Sequence, residues 1–383
     1  MNRPVVLLLG KLPPPYMGPA IATRILLDSS LKEHFRLVHL DTRAHRSLES
    51  MGRWSLAKAY RTLLIYARMK WMILRYRPHL CIVPVSQSRL GFLKDSLYVL
   101  IARALFTRAV FHLRGSNFRN WYEQSDRWMK RYVRFVLRRV SGVIVQGERL
   151  RSVFSGLVPE ERIHVVPNGA DYPILPDFRR HHPFKALYLA NLQASKGIED
   201  VLEAVRLLKN AGIGEFEVDV VGSWRSPEMQ RNCTEFVEKH RLPVCFAPAV
   251  TGEQKWEALT SADAFLFTPR DPEGHPWVIV EAQAAGLPII ATDRGAIAEA
   301  VADGLNGYIV PVRDANAIAE RLKRLMSDES LRLEMAKESR KTYEQRYTEK
   351  AMVVRMRDAI EKSGVRVASS EPVRRSEAEE ECE

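Results

Sequence analysis

The stretch AFLFTPRDPEGHPWVIVEAQAAGLPIIATDRG, residues 264–295, reads as strand, loop, helix and strand in close succession. Ala264–Thr268 and Pro288–Thr292 are short apolar runs bounded by Pro and Gly, the pattern of buried strands. Between them, Pro276 suits the first position of a helix, where its fixed φ and missing N–H do no harm. Gly286 followed by Pro288 ends that helix, which is therefore expected from Pro276 to Ala285. Except for Glu281 and Gln283 it is apolar on all sides and should be buried against its sheet. Units of this kind build parallel sheets.

Working outward, the alternation of strands and helices runs through the chain in two sets. Strands are expected at Val5–Gly10, Arg36–Leu40, Leu80–Pro84, Ala109–Leu113 and Gly142–Gln146, then at Ala186–Ala190, Glu217–Val221, Val244–Ala247, Ala264–Thr268 and Pro288–Thr292. Between the sets, PNGADYPILPDFRRHHPFK (167–185) holds four prolines and a glycine and reads as a linker. Two doubly wound α/β domains joined in this way bring the carboxyl ends of their strands to a shared cleft, where ligands of open α/β sheets bind.

The 383 residues, 46% hydrophobic and 27% charged, suffice for two cores and exclude a disordered chain. Four scattered cysteines, Cys81, Cys233, Cys245 and Cys382, form no C-x-x-C pair, so neither a disulfide framework nor a structural metal is indicated. The apolar run before Lys11 is too short for a signal-peptide core, and the expectation is a cytosolic protein. Ser96–Leu113, the most apolar long stretch, is broken by Arg103 and Arg108 and does not span a bilayer. The segment 369–383, rich in Glu, is expected to be a disordered acidic tail.

The net charge of +12 is unevenly placed. Residues 1–180 hold 31 Lys/Arg against 12 Asp/Glu, a net of +19, and the remainder holds 27 against 34, a net of −7. Within the basic half, 68–77 and 127–139 alternate cations with large apolar residues at helical spacing. Such helices either lie on anionic membrane surfaces or pack their apolar stripe on a sheet and leave the charges solvated. A membrane or another polyanion is the indicated partner. Nucleic acid is not, because no recognition motif accompanies the charge.

Several residues could carry chemistry. Glu281, a carboxylate in an apolar helix, needs donors, which ribose or sugar hydroxyls would supply; an Arg partner would serve equally. The loop Glu273-Gly274-His275 offers N–H groups at a helix start, a site for phosphate. Ser195-Lys196-Gly197 begins another helix after a strand, where Lys196 could hold a diphosphate or simply be solvated. The loop from Gly10 to Thr23 contains Gly18, which permits close backbone approach to a ligand. His112 and Arg114 share one face at a strand end, and a His there could orient a hydroxyl or exchange a proton.

Taken in order, these parts resemble the retaining glycosyltransferases of family 4, with the GT-B fold of two facing Rossmann-like domains. The resemblance rests on Gly18, HLRG at 112–115, VVPNGAD at 165–171, Lys196-Gly197, VVG at 220–222, the block from Glu273 to Pro288, and DGLNGYIV at 303–310. It implies an acceptor-side domain over 1–172, a nucleotide-sugar domain over 180–345, and a closing helix within 346–365 that returns to the first domain. It further implies that Glu273 contacts the donor sugar, Glu281 the ribose, and Lys196 the diphosphate. N–H groups around Gly274 and His275 would assist, Pro276 and Asn191 would also contact the donor, His112 would face the sugar, and Gly18 would lie near the phosphates. The family's usual Gly-Arg is Ala190-Asn191 here, leaving Arg270 or Arg294 as replacement cations. The family His matches either His112 or the position held by Arg114.

The implied activity is retaining transfer of a sugar from a UDP- or GDP-linked donor to a hydroxyl of a glycan or lipid-linked acceptor, in cell-surface polysaccharide or glycolipid assembly. No D-x-D pair occurs, and no metal or other cofactor is expected. The location implied is cytoplasmic, peripheral on the inner face of the membrane. The alternatives are an inactive GT-B membrane- or glycan-binding partner and a GT-B epimerase or phosphorylase.

Overall fold

The computed structural model describes residues 3–14, 17–43, 56–173 and 182–366, with the side chains of 56–59 left aside. Two six-stranded parallel sheets carry the chain. The first holds β1 (Val5–Gly10), β2 (Arg36–Asp41), β3 (Leu80–Val85), β4 (Arg108–Leu113), β5 (Gly142–Val145) and β6 (Ile163–Val165), in the order β2-β1-β3-β4-β5-β6. The second holds β7 (Phe184–Leu189), β8 (Phe216–Val221), β9 (Val244–Ala247), β10 (Ala264–Phe267), β11 (Ile289–Thr292) and β12 (Gly307–Val310), in the order β12-β11-β10-β7-β8-β9. Strand order reverses between β1 and β3 in one sheet and between β7 and β10 in the other, and in such sheets the crevice at the reversal takes the ligand.

Both sheets are covered on both faces, which is why their strands read as nearly unbroken Val, Ile and Leu. On the first sheet, Leu9, Val83, Phe111 and Val143 pack with helices 56–76, 89–104 and 127–137. Its other face, with Val6, Leu8, Ile82 and Val110, is covered by Met352, Val353, Met356 and Ile360 of the last helix, Glu349–Lys362. Each of those side chains contributes roughly 1.5–3 kcal/mol of burial. Thr348 caps this helix by accepting the Ala351 N–H at 3.3 Å. The second sheet's helices include the apolar Trp277–Ala284, buried along nearly its whole length.

The fold is the expected pair of Rossmann-like domains, with three local differences. β6 and β12 add to each sheet an edge strand beyond those expected: β6 has only three residues, and β12 opens on Gly307 within DGLNG, which reads as a turn. Pro276 caps the helix and does not occupy its first turn, because its ψ of 132° keeps it extended and in the loop. The basic helices pack an apolar stripe on the sheet, Met69, Met72, Met129 and Val133 being buried there, and in addition Trp71, Leu74, Trp128 and Phe135 face solvent. The acidic segment 369–383 and residues 174–181 of the linker lie outside the described residues. Among the described residues no helix is long and apolar enough to cross a membrane.

Candidate active site

A cavity of about 290 Å³ lies between the strand ends at the two reversals. From the first sheet it is lined by Gly18, Pro19, Ala22, Arg114, Gln146 and Asn168. From the second come Leu189-Ala190-Asn191 after β7, Lys196, Lys255, Phe267 and the segment Glu273–Val278 after β10.

Lys196 is held there by its backbone. Gly197 has φ +76°, and a Cβ on it would stand 2.0 Å from the Thr268 carbonyl oxygen, so only glycine lets the turn press against the end of β10. The Tyr188 hydroxyl donates to the Lys196 carbonyl at 2.8 Å, and the Arg270 N–H to the Ser195 carbonyl at 2.8 Å. The Lys196 ammonium then donates to the Glu273 carboxylate. Ala190 is equally tight: a Cβ on Gly222 would lie 1.9 Å from its carbonyl oxygen, which accounts for the glycine of VVG.

The Glu273 loop is fixed from the other domain. Asn168 donates its N–H to His275 Nδ1 at 3.2 Å and its side-chain amide to the His275 carbonyl at 2.6 Å, while Gln146 bonds Asn168 at 2.8 Å. The His275 N–H is directed at Gln146 Oε1, 3.4 Å away. That N–H, expected to serve a phosphate, is thus turned to Gln146. Burial, with Arg346 and Arg355 nearby, pushes the His275 imidazole down to about 3, so it is neutral at pH 7. Gly274 needs its missing side chain, since a Cβ would meet Gln146 Oε1 at 2.4 Å. The Trp277 indole N–H reaches across to the Gly18 carbonyl at 3.2 Å.

Glu281 borders the cavity through Lys255, which lines it. Its carboxylate is paired with Lys255, and the Tyr172 hydroxyl approaches it at 3.5 Å. The sequence pointed to an Arg or to ligand hydroxyls as its partner; Lys255, on helix Gly252–Thr260, had no local signal to reveal it. Glu281 raises the Tyr172 phenol further, after burial has already moved it well above its ordinary value.

Three expected placements are corrected. Arg270 does not face the cavity: its guanidinium binds Asp200 at 2.6 and 2.8 Å and Glu199 at 2.6 Å, on the first turn of the helix after Gly197, where acidic residues complement the helix dipole. Arg294 lines a different cavity, beside Asp293 and Arg149. His112 is 4% exposed and does not line the cleft, and burial beside Arg114 holds its imidazole well below the usual value. Arg114, two residues on, lines the cleft instead and donates to Thr23 Oγ1 at 2.9 Å and to the Pro19 carbonyl. Burial lowers its pKa to about 10, which leaves it charged at neutral pH.

The cleft therefore presents three cations, Lys196, Lys255 and Arg114, around the Glu273 carboxylate. Among the described residues no group of three or more His, Cys, Asp or Glu side chains stands together as a metal site would need.

Comparison with known proteins shows the family and the fold. Residues 177–342 match the family model described as glycosyl transferases group 1, and residues 13–169 match the one described as glycosyl transferase 4-like domain. A putative colanic acid biosynthesis glycosyltransferase, WcaL of Salmonella typhimurium, is 32% identical over 148 residues, 37% of this chain and 35% of its own length. The phosphatidyl-myo-inositol mannosyltransferase of Mycolicibacterium smegmatis is 28% identical over 221 residues, 55% of this chain and 56% of its own. The match thus spans between a third and just over half of these relatives. In fold, the chain is similar to sucrose-phosphate synthase from Thermosynechococcus elongatus, with a TM-score of 0.72 at 17% identity, covering 94% of this chain and 98% of that one. It is also similar to HepE of Anabaena in complex with UDP and glucose, with a TM-score of 0.70 at 16% identity, covering 94% and 100%.

Proposed function

The chain belongs to the group 1 glycosyltransferases, and from that premise we propose that it moves a sugar from a nucleotide-diphosphate donor to an acceptor hydroxyl, with retention at the anomeric carbon. The carrying observation is the meeting of Lys196, Glu273 and Lys255 at the reversal between β7 and β10. Breaking the C1–O bond sends its electron pair to the diphosphate and leaves positive character on the sugar ring. Lys196 stands where it can meet the first charge and Glu273 the second, and charges fixed in advance are the main source of rate acceleration in such sites. The acceptor oxygen adds to C1 on the face the leaving group vacates, and its proton passes to the departing diphosphate oxygen.

Donor binding falls mainly to the second domain, with Lys196 at the diphosphate and Glu281, supported by Lys255, at the ribose, while Arg114 of the first domain adds a cation on the diphosphate side. The donor is UDP- or GDP-linked, as the relatives' complexes with UDP suggest, and the acceptor is a glycan or lipid-linked sugar of the cell surface, in keeping with relatives named for polysaccharide and inositol-lipid assembly. A peripheral place on an anionic membrane is supported by the first domain. Of the twelve large hydrophobic residues described as exposed, ten lie in it, including Leu63, Trp71, Leu74, Phe106, Trp128 and Phe135, among the Arg and Lys of its helices.

The test is thermal stabilisation by UDP, GDP, ADP and their sugar conjugates, on the wild type and on Glu281→Ala. A ligand that binds only the folded state raises the melting temperature, by about 2.7 kcal/mol of stability at a hundredfold excess over Kd. One nucleotide should stabilise the wild type and not the variant; a flat panel on folded protein would sink the reading. Proton NMR of the first product would then establish the anomeric outcome.

A further inference from the structure

Beside the cleft lies a second cavity of about 370 Å³. Ser116, Arg119 and Asn120, following β4, form one wall, and Arg149 and Ser152, following β5, form another. Pro272 and Asp293-Arg294-Gly295 close it from the second domain. The partition between the two cavities is the Glu273 loop itself: Pro272 faces the second cavity and Glu273 the first. It is a thin partition, since a Cβ on Gly295 would stand 1.7 Å from the Glu273 carbonyl oxygen.

Three guanidinium groups and one carboxylate line this space, and their pairing is unequal. Asp293 is taken by Arg149 in a two-pronged pair at 2.5 and 3.1 Å. Arg119 is held by Glu123 at 2.6 Å and by the Ser155 carbonyl at 2.7 Å. Arg294 has neither: its buried Nε finds no hydrogen-bond partner, and no carboxylate among the described residues pairs with it. The Ser116 hydroxyl is likewise buried without a partner. A buried donor left without an acceptor is costly, and here a permanent cation and a hydroxyl share one small cavity. Both residues are half-buried and line the cavity, and the rest of the Arg294 guanidinium fork, which no carboxylate among the described residues claims, matches the oxygens of phosphate or carboxylate.

We propose that this cavity binds an anionic group of the acceptor, a phosphate or a carboxylate, through Arg294 and Ser116, with Arg119 and Arg149 supplying favourable field. The word acceptor rests on the transfer reading above; the anion site itself does not. With the donor against β7 and β10, an acceptor anchored across the Glu273 loop would present its hydroxyl to the same loop from the opposite side.

The experiment is calorimetric titration of the protein with inorganic phosphate, glucose 6-phosphate and glucuronate, on the wild type, Arg294→Gln, Arg119→Gln and Lys196→Met. Melting temperatures establish that each variant is folded. The expected result is binding to the wild type and to Lys196→Met, weakened at least tenfold in Arg294→Gln and to a lesser degree in Arg119→Gln; the preferred sugar acid distinguishes phosphate from carboxylate. Loss in Lys196→Met would place the anion in the donor cleft and overturn the proposal. So would absence of binding to the wild type, or binding undiminished in both arginine variants. Nucleotide binding, measured separately, tests the transfer reading alone.

Discussion

Lys196 and Glu273, 77 residues apart in sequence, are joined in an ion pair at the floor of the cleft, with under a fifth of either side chain exposed. The cation proposed for the diphosphate and the carboxylate proposed for the sugar therefore hold each other in position. Removing either leaves its partner half-solvated and misplaced. Lys196→Met and Glu273→Gln should each lower kcat by about 10²–10³, the scale of losing one preorganised charge. In stability, the double variant should depart from the sum of the singles by about 0.5–3 kcal/mol, as groups in contact do. Simple additivity in a denaturant cycle would show that the pair is not formed in solution.

Glu281 and Lys255 allow binding and folding to be told apart. Glu281→Gln leaves Lys255, which is 18% exposed, without its carboxylate. A loss of about 1–3 kcal/mol is expected, less than for a fully buried pair because some water reaches the ammonium. Adding Lys255→Met should restore most of the stability and none of the nucleotide binding. Recovery of both by the double variant would mean that Glu281 serves the fold alone.

The buried histidines set an acid limit. His275 is lowered to about 3, His112 falls well below its ordinary value, and His39 and His164 are also lowered, in each case mainly by burial. All four favour the neutral form when folded, so the unfolded chain takes up protons first as pH falls. Their contribution is complete above about pH 6.5 and is lost below it, at up to about 1.4 kcal/mol per pH unit for each fully buried group. Melting temperature should thus be level above pH 7 and fall between pH 6 and 4. The gap between wild type and His275→Gln should narrow over that range; a gap that stays constant would contradict the burial argument.

The exposed aromatic residues of the first domain predict lipid selectivity. Wild-type protein should sediment with vesicles containing anionic phosphatidylglycerol and less with pure phosphatidylcholine, each cation near the surface adding about 1 kcal/mol at low salt. Trp71→Glu with Trp128→Glu should reduce sedimentation without lowering the melting temperature, since both rings face solvent. Equal sedimentation of the variant would place the contact elsewhere.

Ten of the twelve strands were legible, most of them because parallel strands buried on both faces announce themselves as apolar runs, while the less buried edge strands β2 and β9 followed from the strand–helix alternation. β6 has only three residues, and the glycines and Asn306 that lead into β12 masked it as a turn. Within the site, local motifs placed Lys196, Glu273 and Gly274 on the cleft because their spacing along strand–loop–helix turns determines where they point, with Gly197 behind them against Thr268. Partners distant in sequence were another matter. Nothing near Arg270 indicates that Asp200 and Glu199 claim it, and nothing near His112 indicates that Arg114 stands in front of it. Lys255 and Gln146 owe their roles to tertiary packing alone.

The last helix has a consequence for anyone who would recombine this enzyme. Met352, Val353, Met356 and Ile360 form part of the hydrophobic core beneath β1, β3 and β4, so the independently heritable unit is the first half together with the final helix. A chimera joined once, at the linker, would give a new second half a tail moulded to someone else's sheet. A graft that exchanges only 182–347, leaving 349–362 with its native sheet, keeps that core intact and, on the proposed division of labour, should carry donor preference with it.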